Sequence, residues 1–224
     1  MISLDYSKAF DTVKHSALVS KASQILPDDQ ALNWLESYLR DHTHCTKFNG
    51  VTSGVAAINA SVIQGSALGP PAFAIVASDL HPLHTFNDLL KYADDMYLVV
   101  SAAASNTISA ELDHIDDWAK INNLCLNNSK THEFVVFKSK RLKTSTPPPP
   151  PINGINQVQT IKILGVTLNS DLSITEHIDN TLTSCGQSLF ALKTLKSHGM
   201  PKSTICDVYG ATTLSNLLYA CSAW

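Results

Sequence analysis

The sequence lacks the features that mark membrane-spanning, exported and strongly basic proteins. No stretch of about 18 apolar residues is free of polar interruption, so we expect no transmembrane span and no membrane partner. Residues 1–5 contain no basic segment leading into an apolar one, so we expect no signal peptide. The net charge is only −3, from 16 Lys and Arg against 19 Asp and Glu, which argues against binding nucleic acid through a bulk positive field alone.

Cysteine is also scarce, and its spacing carries no motif. The five cysteines are widely separated and no C-x-x-C occurs, which argues against a zinc knuckle or a redox centre. Reduced thiols in an intracellular compartment are the simplest interpretation, and the sequence does not distinguish nucleus from cytoplasm. What is present instead is 44% apolar and 16% charged residues over 224 positions, which is typical of one large or two small folded domains.

The small net charge divides into two unlike parts. Residues 1–129 hold 7 basic and 14 acidic side chains, a net of −7, whereas residues 130–224 hold 9 basic and 5 acidic ones, a net of +4. The acidic part is consistent with a cation site or with a solvated face. The basic part, including a cluster at residues 138–143, is consistent with phosphate contacts or with solubility alone.

Apolar periodicity and turn residues predict a mixed α and β chain. Spacings of three and four residues predict several helices. They cover residues 9–25, a segment that begins after Asp28, and residues 72–80 and 178–195. Asn49 and Gly50 predict a hairpin within residues 45–58, and a second hairpin is predicted over residues 161–168. Five consecutive prolines at residues 147–151 indicate an extended linker or exposed loop.

A pair of carboxylates lies between two predicted strands. Asp94 and Asp95 separate the apolar segments 91–93 and 96–100, and adjacent carboxylates repel each other unless a cation compensates. A solvated Asp–Asp turn is the alternative. Asp5 ends another short apolar segment, so it would converge with Asp94 if the two segments were neighbours in one sheet. Carboxylates that converge from separate strands are typical ligands of hard divalent cations.

Five segments together resemble the reverse transcriptase of non-LTR retrotransposons of the LINE type, close to the jockey and CR1 groups. They are LDYSKAFD (residues 4–11), QGSALGP (64–70), YADD (92–95), LCLNNSKT (124–131) and IKILGVTL (161–168). Their order and rough spacing agree with that family. A lone A-D-D would be weak evidence, whereas five motifs in register are specific.

The resemblance implies an α+β fold, with a polymerase palm made of an antiparallel sheet backed by helices and followed by a helical thumb. The implied domains are the palm at residues 1–143, a proline-rich linker at 144–157, a primer-grip hairpin at 158–170 and a truncated thumb at 171–224. Only residues 1–4 precede Asp5, where the family has a fingers region. We therefore expect a fragment of a longer polymerase.

The resemblance also implies an activity and its partners. It implies an RNA-directed DNA polymerase that uses an RNA template, a DNA primer and deoxynucleoside triphosphates, with two Mg²⁺ ions, or Mn²⁺ as an alternative. Whether this fragment is an enzyme by itself is left open, as is its oligomeric state. The alternative is an inactive retrotransposon relic that at most binds nucleic acid.

Specific residues inherit roles from the matching motifs. Asp5, Asp94 and Asp95 would be the catalytic carboxylates and metal ligands, and the carbonyl of Tyr6 would add an oxygen near the metals and substrate. Lys130 would protonate the leaving pyrophosphate, with a solvated surface lysine as the alternative.

The remaining implied residues contact the substrates. Phe10 falls at the steric gate that selects deoxynucleotides, although a core position in its helix is the alternative. Gln64 and Gly65 would line the nucleotide and template pocket, where glycine permits close backbone approach. Leu164 and Gly165 would hold the primer end.

Overall fold

The computed structural model describes residues 1–63, 65–137 and 149–223, and the chain divides into two compact units. Unit 1 consists of Met1–Glu133 with Pro151–Asn156, and unit 2 of Phe134–Pro150 with Gln157–Trp224. Helices and antiparallel strands both contribute, so the predicted α+β class is confirmed. The limits of palm, linker, grip hairpin and thumb stay predictions. The basic cluster at residues 138–143 lies outside the described residues.

Unit 1 contains a sheet and most of the helices. In chain order its elements are β1 (Ile2–Leu4), α1 (Ala9–Thr12), α2 (His15–Ile25), α3 (Asp29–Leu39), β2 (Thr43–His44), β3 (Lys47–Phe48), β4 (Val51–Thr52), β5 (Ala56–Ala57), α4 (Gly69–Val76), β6 (Asp88–Tyr92), β7 (Asp95–Val99), a 3₁₀ helix (Ala102–Thr107), α5 (Ile108–Ile121) and, at the boundary, β8 (His132–Phe134). Strands β6, β7, β1 and β8 lie in that order with antiparallel neighbours.

Strand β1 is short, but it lies between two partners and points its large side chains into the core. Ile2 and Leu4 are 1% and 2% exposed, while Ser3 between them is half-buried, which is the period-two pattern of a strand. The hydrophobic core cluster lies wholly within unit 1 and includes the fully buried Leu18 and Leu98. The core therefore holds β1, and with it the sheet edge that follows β1, in place.

The continuous helix predicted over residues 9–25 is wrong, because two helices separated by an extended step occupy it. Val13 has a φ of −59° and a ψ of 115°, and Lys14 forms an antiparallel bridge with Ala60. The N–H of Ser61 donates to the carbonyl of Val13 over 2.9 Å. Pairing with the later chain thus replaces helical hydrogen bonds at the break.

The remaining predicted elements of unit 1 are close to the observed ones. Asp28 caps α3, with its side chain accepting the N–H of Gln30 over 2.8 Å, as predicted. Helix α4 begins and ends earlier than the predicted residues 72–80, with its prolines in the first turn where the missing N–H is harmless. Asn49 and Gly50 form the predicted hairpin turn between β3 and β4, with φ values of 48° and 78°.

Unit 2 is a hairpin followed by helices. Its elements are β9 (Asn156–Val158), which begins at the boundary, β10 (Thr160–Ile163), β11 (Val166–Asn169), α6 (Thr175–Ser197), α7 (Lys202–Tyr209), a π-helical turn (Gly210–Leu214), α8 (Ser215–Leu218) and a 3₁₀ turn (Cys221–Ala223). The β10–β11 hairpin confirms the prediction for residues 161–168.

Helix α6 buries less of its predicted apolar face than the sequence pattern indicates. Cys185 and Leu192 are buried, but Leu182 and Leu189 are 57% and 49% exposed. The helix packs against β11, α7, the π-helical turn and α8, which together cover only part of it.

Two predictions about the whole chain can also be compared with the structure. Across the described ranges, no helix is both long enough and apolar enough to cross a membrane. All five cysteines are free thiols.

Candidate active site

The carboxylate pair lies at the tip of the β6–β7 hairpin. Tyr92 pairs with Asp95, which leaves Ala93 and Asp94 as a two-residue turn, and Ala93 has a left-handed φ of 51°. Asp94 is half-buried and Asp95 is exposed. A tight turn between two paired strands therefore holds both carboxylates at one sheet edge.

The sheet register brings Asp5 to the same edge. Strand β1 pairs with β7 through Ile2 with Leu98, and through Leu4 with Met96, so the next residue, Asp5, comes opposite Asp95. Partial desolvation of the Asp95 carboxyl at this edge raises its pKa above the usual value, and the nearby carboxylates of Asp94 and Asp5 raise it further. The structure thus brings the three predicted catalytic carboxylates together into one negative cluster.

A loop from the LCLNNSKT motif holds the backbone of Asp5 on both sides. The Asp5 carbonyl accepts the N–H of Asn127 over 2.7 Å, and the Asp5 N–H donates to the hydroxyl of Thr131 over 3.3 Å. Thr131 is fully buried. Sequence reasoning gave Thr131 no role of its own, because its partner is distant along the chain.

The same loop holds the backbone of Lys130 close to that of Asn127. The Asn127 side chain accepts both the N–H and the hydroxyl of Ser129, and the Asn127 carbonyl accepts the N–H of Lys130. Lys130 is exposed and directly precedes Thr131. The catalytic role of Lys130 stays a prediction.

A cavity of about 380 Å³ opens next to the carboxylates, and its size suits a small-molecule site. It is lined by Phe10, Gly65, Ser66, Gly69, Pro70 and Asp94. Three of the predicted site residues thus share one concave surface. Gln64, the neighbour of Gly65 in the QGSALGP motif, lies outside the described residues.

The LDYSKAFD and QGSALGP motifs meet in this cavity because the segment before α4 is hydrogen-bonded to α1. The N–H of Val62 donates to the carbonyl of Phe10 over 2.8 Å. The hydroxyl of Ser66 donates to the Ile63 carbonyl and accepts the N–H of Gly69, which closes the turn that starts α4. Ser66 was absent from the predicted site, because only Gln64 and Gly65 of its motif were assigned roles.

Phe10 lies between the core and the cavity, and its role as a steric gate stays a prediction. Its ring lies 5.4 Å from the ring of the buried Phe73, and it also lines the cavity. Gly65 has a φ of +78°, and a Cβ added to it would find nothing within 4 Å. The space above the Gly65 backbone is therefore open to an approaching ligand.

The side chain and the backbone of Tyr6 have different surroundings. Its side chain is buried, and its hydroxyl donates to the sulfur of Met96 over 3.6 Å. Burial raises the pKa of this phenol, with a smaller contribution from Asp116. Tyr6 forms an isolated antiparallel bridge with Leu126. The two backbone hydrogen bonds beside this bridge use the carbonyl of Asp5 and the N–H of Ser7, and neither uses the Tyr6 carbonyl.

The oxygen donors at the sheet edge suit a hard divalent cation, because three carboxylates that repel one another gain from a bound positive charge. In the part of the chain that the structure describes, no group of three or more His, Cys, Asp or Glu side chains is arranged to hold a metal ion. Mg²⁺ is usually bound through one or two carboxylates together with substrate phosphates, so a full protein cage is not required.

Leu164 and Gly165, the predicted primer-grip residues, belong to unit 2. They form the two-residue turn between Ile163 and Val166, the last pair of the β10–β11 hairpin. Leu164 is 40% exposed, so the side chain at this turn is accessible.

The family model and the relatives found among known proteins agree with one another. Residues 1–168 match the family described as reverse transcriptase (RNA-dependent DNA polymerase). The RNA-directed DNA polymerase from mobile element jockey of Drosophila melanogaster is 34% identical over 191 residues, covering 79% of this chain and 20% of that protein. The probable RNA-directed DNA polymerases from transposon BS and transposon X-element of the same species are 30% and 28% identical, covering 86% and 99% of this chain and 22% and 25% of those proteins.

Solved structures agree on the fold. Telomerase from Candida tropicalis, in complex with a TWJ fragment of telomeric RNA, superposes with a TM-score of 0.54 at 15% identity, over 78% of this chain and 29% of that chain. The apo telomerase of the same organism gives 0.52 at 14% identity, over 77% and 31%. The chain therefore has an α+β polymerase fold, and it spans about a fifth to a quarter of the length of the curated relatives it matches.

Proposed function

The chain belongs to the reverse transcriptase family, and on that premise we propose that it carries out RNA-directed DNA synthesis at the β6–β7 edge of unit 1. The observation that carries this proposal is the meeting of Asp5, Asp94 and Asp95 beside the cavity lined by Phe10 and Gly65. The substrates would be an RNA template, a DNA primer and deoxynucleoside triphosphates.

Asp5 and Asp94 would hold the divalent cations, Mg²⁺ or Mn²⁺, with Asp95 and the carbonyl of Tyr6 nearby. When bound, these ions supply charge neutralisation at the attacking hydroxyl and the leaving pyrophosphate. The chain's own contribution is to hold its carboxylates at a rigid edge, because the Asp5 backbone is bonded to Asn127 and Thr131.

The cavity residues would select and orient the nucleotide. Gly65 offers open backbone for close approach of a base or sugar, and Gln64 of the same motif would line the pocket with it. Lys130, held by the loop beside Asp5, would donate a proton to the departing pyrophosphate. Leu164 and Gly165 of unit 2 would contact the primer end.

The polymerase proposal is tested by primer extension with poly(rA)/oligo(dT), thymidine triphosphate and Mg²⁺. Asp94→Asn should lower the extension rate about a thousandfold or more, since a metal-ligating carboxylate contributes several kcal/mol to the transition state. Asp113→Asn is the matched control, because Asp113 is exposed on α5 and should extend like the parent chain.

One result would count against the activity and another against its site. If the parent extends no better than Asp94→Asn, the alternative of an inactive relic is favoured. If Asp113→Asn loses as much activity as Asp94→Asn, the effect is one of general charge and the cluster is not the catalytic site.

The steric-gate role proposed for Phe10 makes a separate prediction. Phe10→Val removes ring volume from the cavity while keeping an apolar side chain against Phe73. We expect incorporation of ribonucleotides relative to deoxynucleotides to rise about tenfold or more, because a 2′-hydroxyl would no longer collide with the ring. Single-nucleotide insertion kinetics with both sugars measure this ratio, and an unchanged ratio would assign Phe10 to the core alone.

A further inference from the structure

The turn formed by Leu164 and Gly165, the grip turn, has a backbone conformation that its own residues do not favour. Leu164 and Gly165 have φ values of 44° and 87°, so both lie in the left-handed region. Two-residue hairpin turns of this kind favour Asn or Gly at the first position, and a branched residue such as Leu is disfavoured there. Something beyond local preference therefore holds Leu164 in place.

Tyr219 supplies a direct contact to this turn from the C-terminal segment of unit 2. It follows α8, and its N–H donates to the carbonyl of Ser215 over 2.9 Å. Its hydroxyl donates to the carbonyl of Leu164 over 2.6 Å, a short hydrogen bond between residues 55 positions apart.

The tyrosine ring also fits closely against Gly165. A Cβ added to Gly165 would lie 3.0 Å from Cε1 of Tyr219, 3.3 Å from its hydroxyl oxygen and 3.5 Å from Cζ. The positive φ favours glycine at this position, and an added Cβ would also press against the ring of Tyr219. The contact leaves the Leu164 side chain 40% exposed, so it can still meet a ligand.

We infer that Tyr219 is a positioning residue for primer binding, which fixes the turn of Leu164 and Gly165 to the C-terminal helical segment. The inference rests on the proposed function, which assigns the primer end to this turn. Tyr219 acts through the Leu164 carbonyl and does not itself touch the reacting groups.

The test is equilibrium binding of a fluorescein-labelled DNA primer annealed to RNA, measured by anisotropy without nucleotides. Two duplexes are compared, one with a recessed primer 3′ end and one with blunt ends. Tyr219→Phe, which removes only the hydroxyl, should weaken binding of the recessed duplex about fivefold and leave the blunt duplex unchanged. Tyr209→Phe, at a partly exposed tyrosine on α7, is the matched control and should behave as the parent.

A double-mutant cycle tests the ring contact. Gly165→Ala should weaken recessed-end binding more in the parent than in Tyr219→Ala, because only the parent retains the ring that collides with the added methyl group. Equal effects in both backgrounds would show that the ring does not act on the turn and would overturn the inference.

The remaining outcomes separate this inference from the polymerase proposal. Equal binding by Tyr219→Phe and the parent, or equal weakening of both duplexes, overturns the positioning role. A parent with no preference for the recessed end overturns it as well. A recessed-end preference that depends on Tyr219, together with no extension above Asp94→Asn, supports the inference while polymerase activity fails.

Discussion

Unit 1 and unit 2 position their candidate functional residues by different physical means. The buried core cluster belongs entirely to unit 1, and it lies beneath the sheet edge that carries Asp5, Asp94 and Asp95. The described part of unit 2 buries fewer apolar side chains than unit 1, and Leu182, Leu189 and Phe190 on α6 are exposed. There the side chain of Tyr219 contacts the turn of Leu164 and Gly165.

The difference indicates where each unit is vulnerable. In unit 1 the strands that lead to the carboxylates pack on the core cluster, so a buried core side chain is the sensitive point. In unit 2 the β10–β11 pairing holds the two ends of the turn, and Tyr219 adds one hydrogen bond and one ring contact that a single substitution can remove.

Truncating a core leucine should have the largest effect on stability. Leu18 of α2 is fully buried, and Leu18→Ala should lower the free energy of unfolding by about 3 kcal/mol. Leu189→Ala, at a side chain 49% exposed on α6, should cost less than about 1 kcal/mol. Urea unfolding followed by circular dichroism measures both. If Leu189→Ala costs as much as Leu18→Ala, the contrast between the two units is wrong.

A buried carboxylate should make the stability of unit 1 depend on pH. Glu111 is fully buried and accepts hydrogen bonds from the side chains of Asn87 and His84 and from the N–H groups of Leu83 and His84. Burial by itself raises the pKa of Glu111, but these hydrogen bonds outweigh it and hold the pKa below its usual value of 4.5. The folded state therefore binds the proton more weakly than the unfolded state does. The stability that Glu111 contributes is full above about pH 4.5 and is lost as the pH falls.

Glu111→Gln should remove that pH dependence and lower stability at neutral pH by about 2 kcal/mol, since an amide nitrogen would then face backbone donors. Glu176→Gln is the control in unit 2, because Glu176 is exposed near the start of α6. Unfolding at several pH values between 3 and 7 measures both variants. An acid response in Glu111→Gln equal to that of the parent would contradict the role of the network.

The smallest expected effect comes from relieving repulsion at the carboxylate edge. Asp95→Asn should stabilise unit 1 by about 0.5 kcal/mol without divalent ions, because an exposed like-charge contact is worth little in water. Mg²⁺ should raise the melting temperature of the parent more than that of Asp95→Asn. Asp207→Asn, at an exposed aspartate on α7, should leave both quantities unchanged. A Mg²⁺ response in Asp95→Asn as large as in the parent would place the ion elsewhere.

Much of the candidate site was predictable because its residues lie in short motifs with distinctive chemistry. The A-D-D turn between two apolar segments, and the hairpin at Asn49 and Gly50, follow from local preferences. The break at Val13 was not predictable, since its extended step depends on pairing with Ala60 and Ser61, far along the chain. Thr131 and Tyr219 were missed for the same reason.

The sequence by itself determined the class of chemistry: acidic side chains at a turn and at a strand end, a glycine-containing loop, and hairpins at the expected places. The tertiary structure decided which of them meet. The β1–β7 register sets Asp5 opposite Asp95, and the contacts of Thr131 with Asp5 and of Tyr219 with Leu164 join residues 126 and 55 positions apart. Local propensity fixes the backbone of a few adjacent residues, whereas contacts over such separations depend on how the whole unit packs.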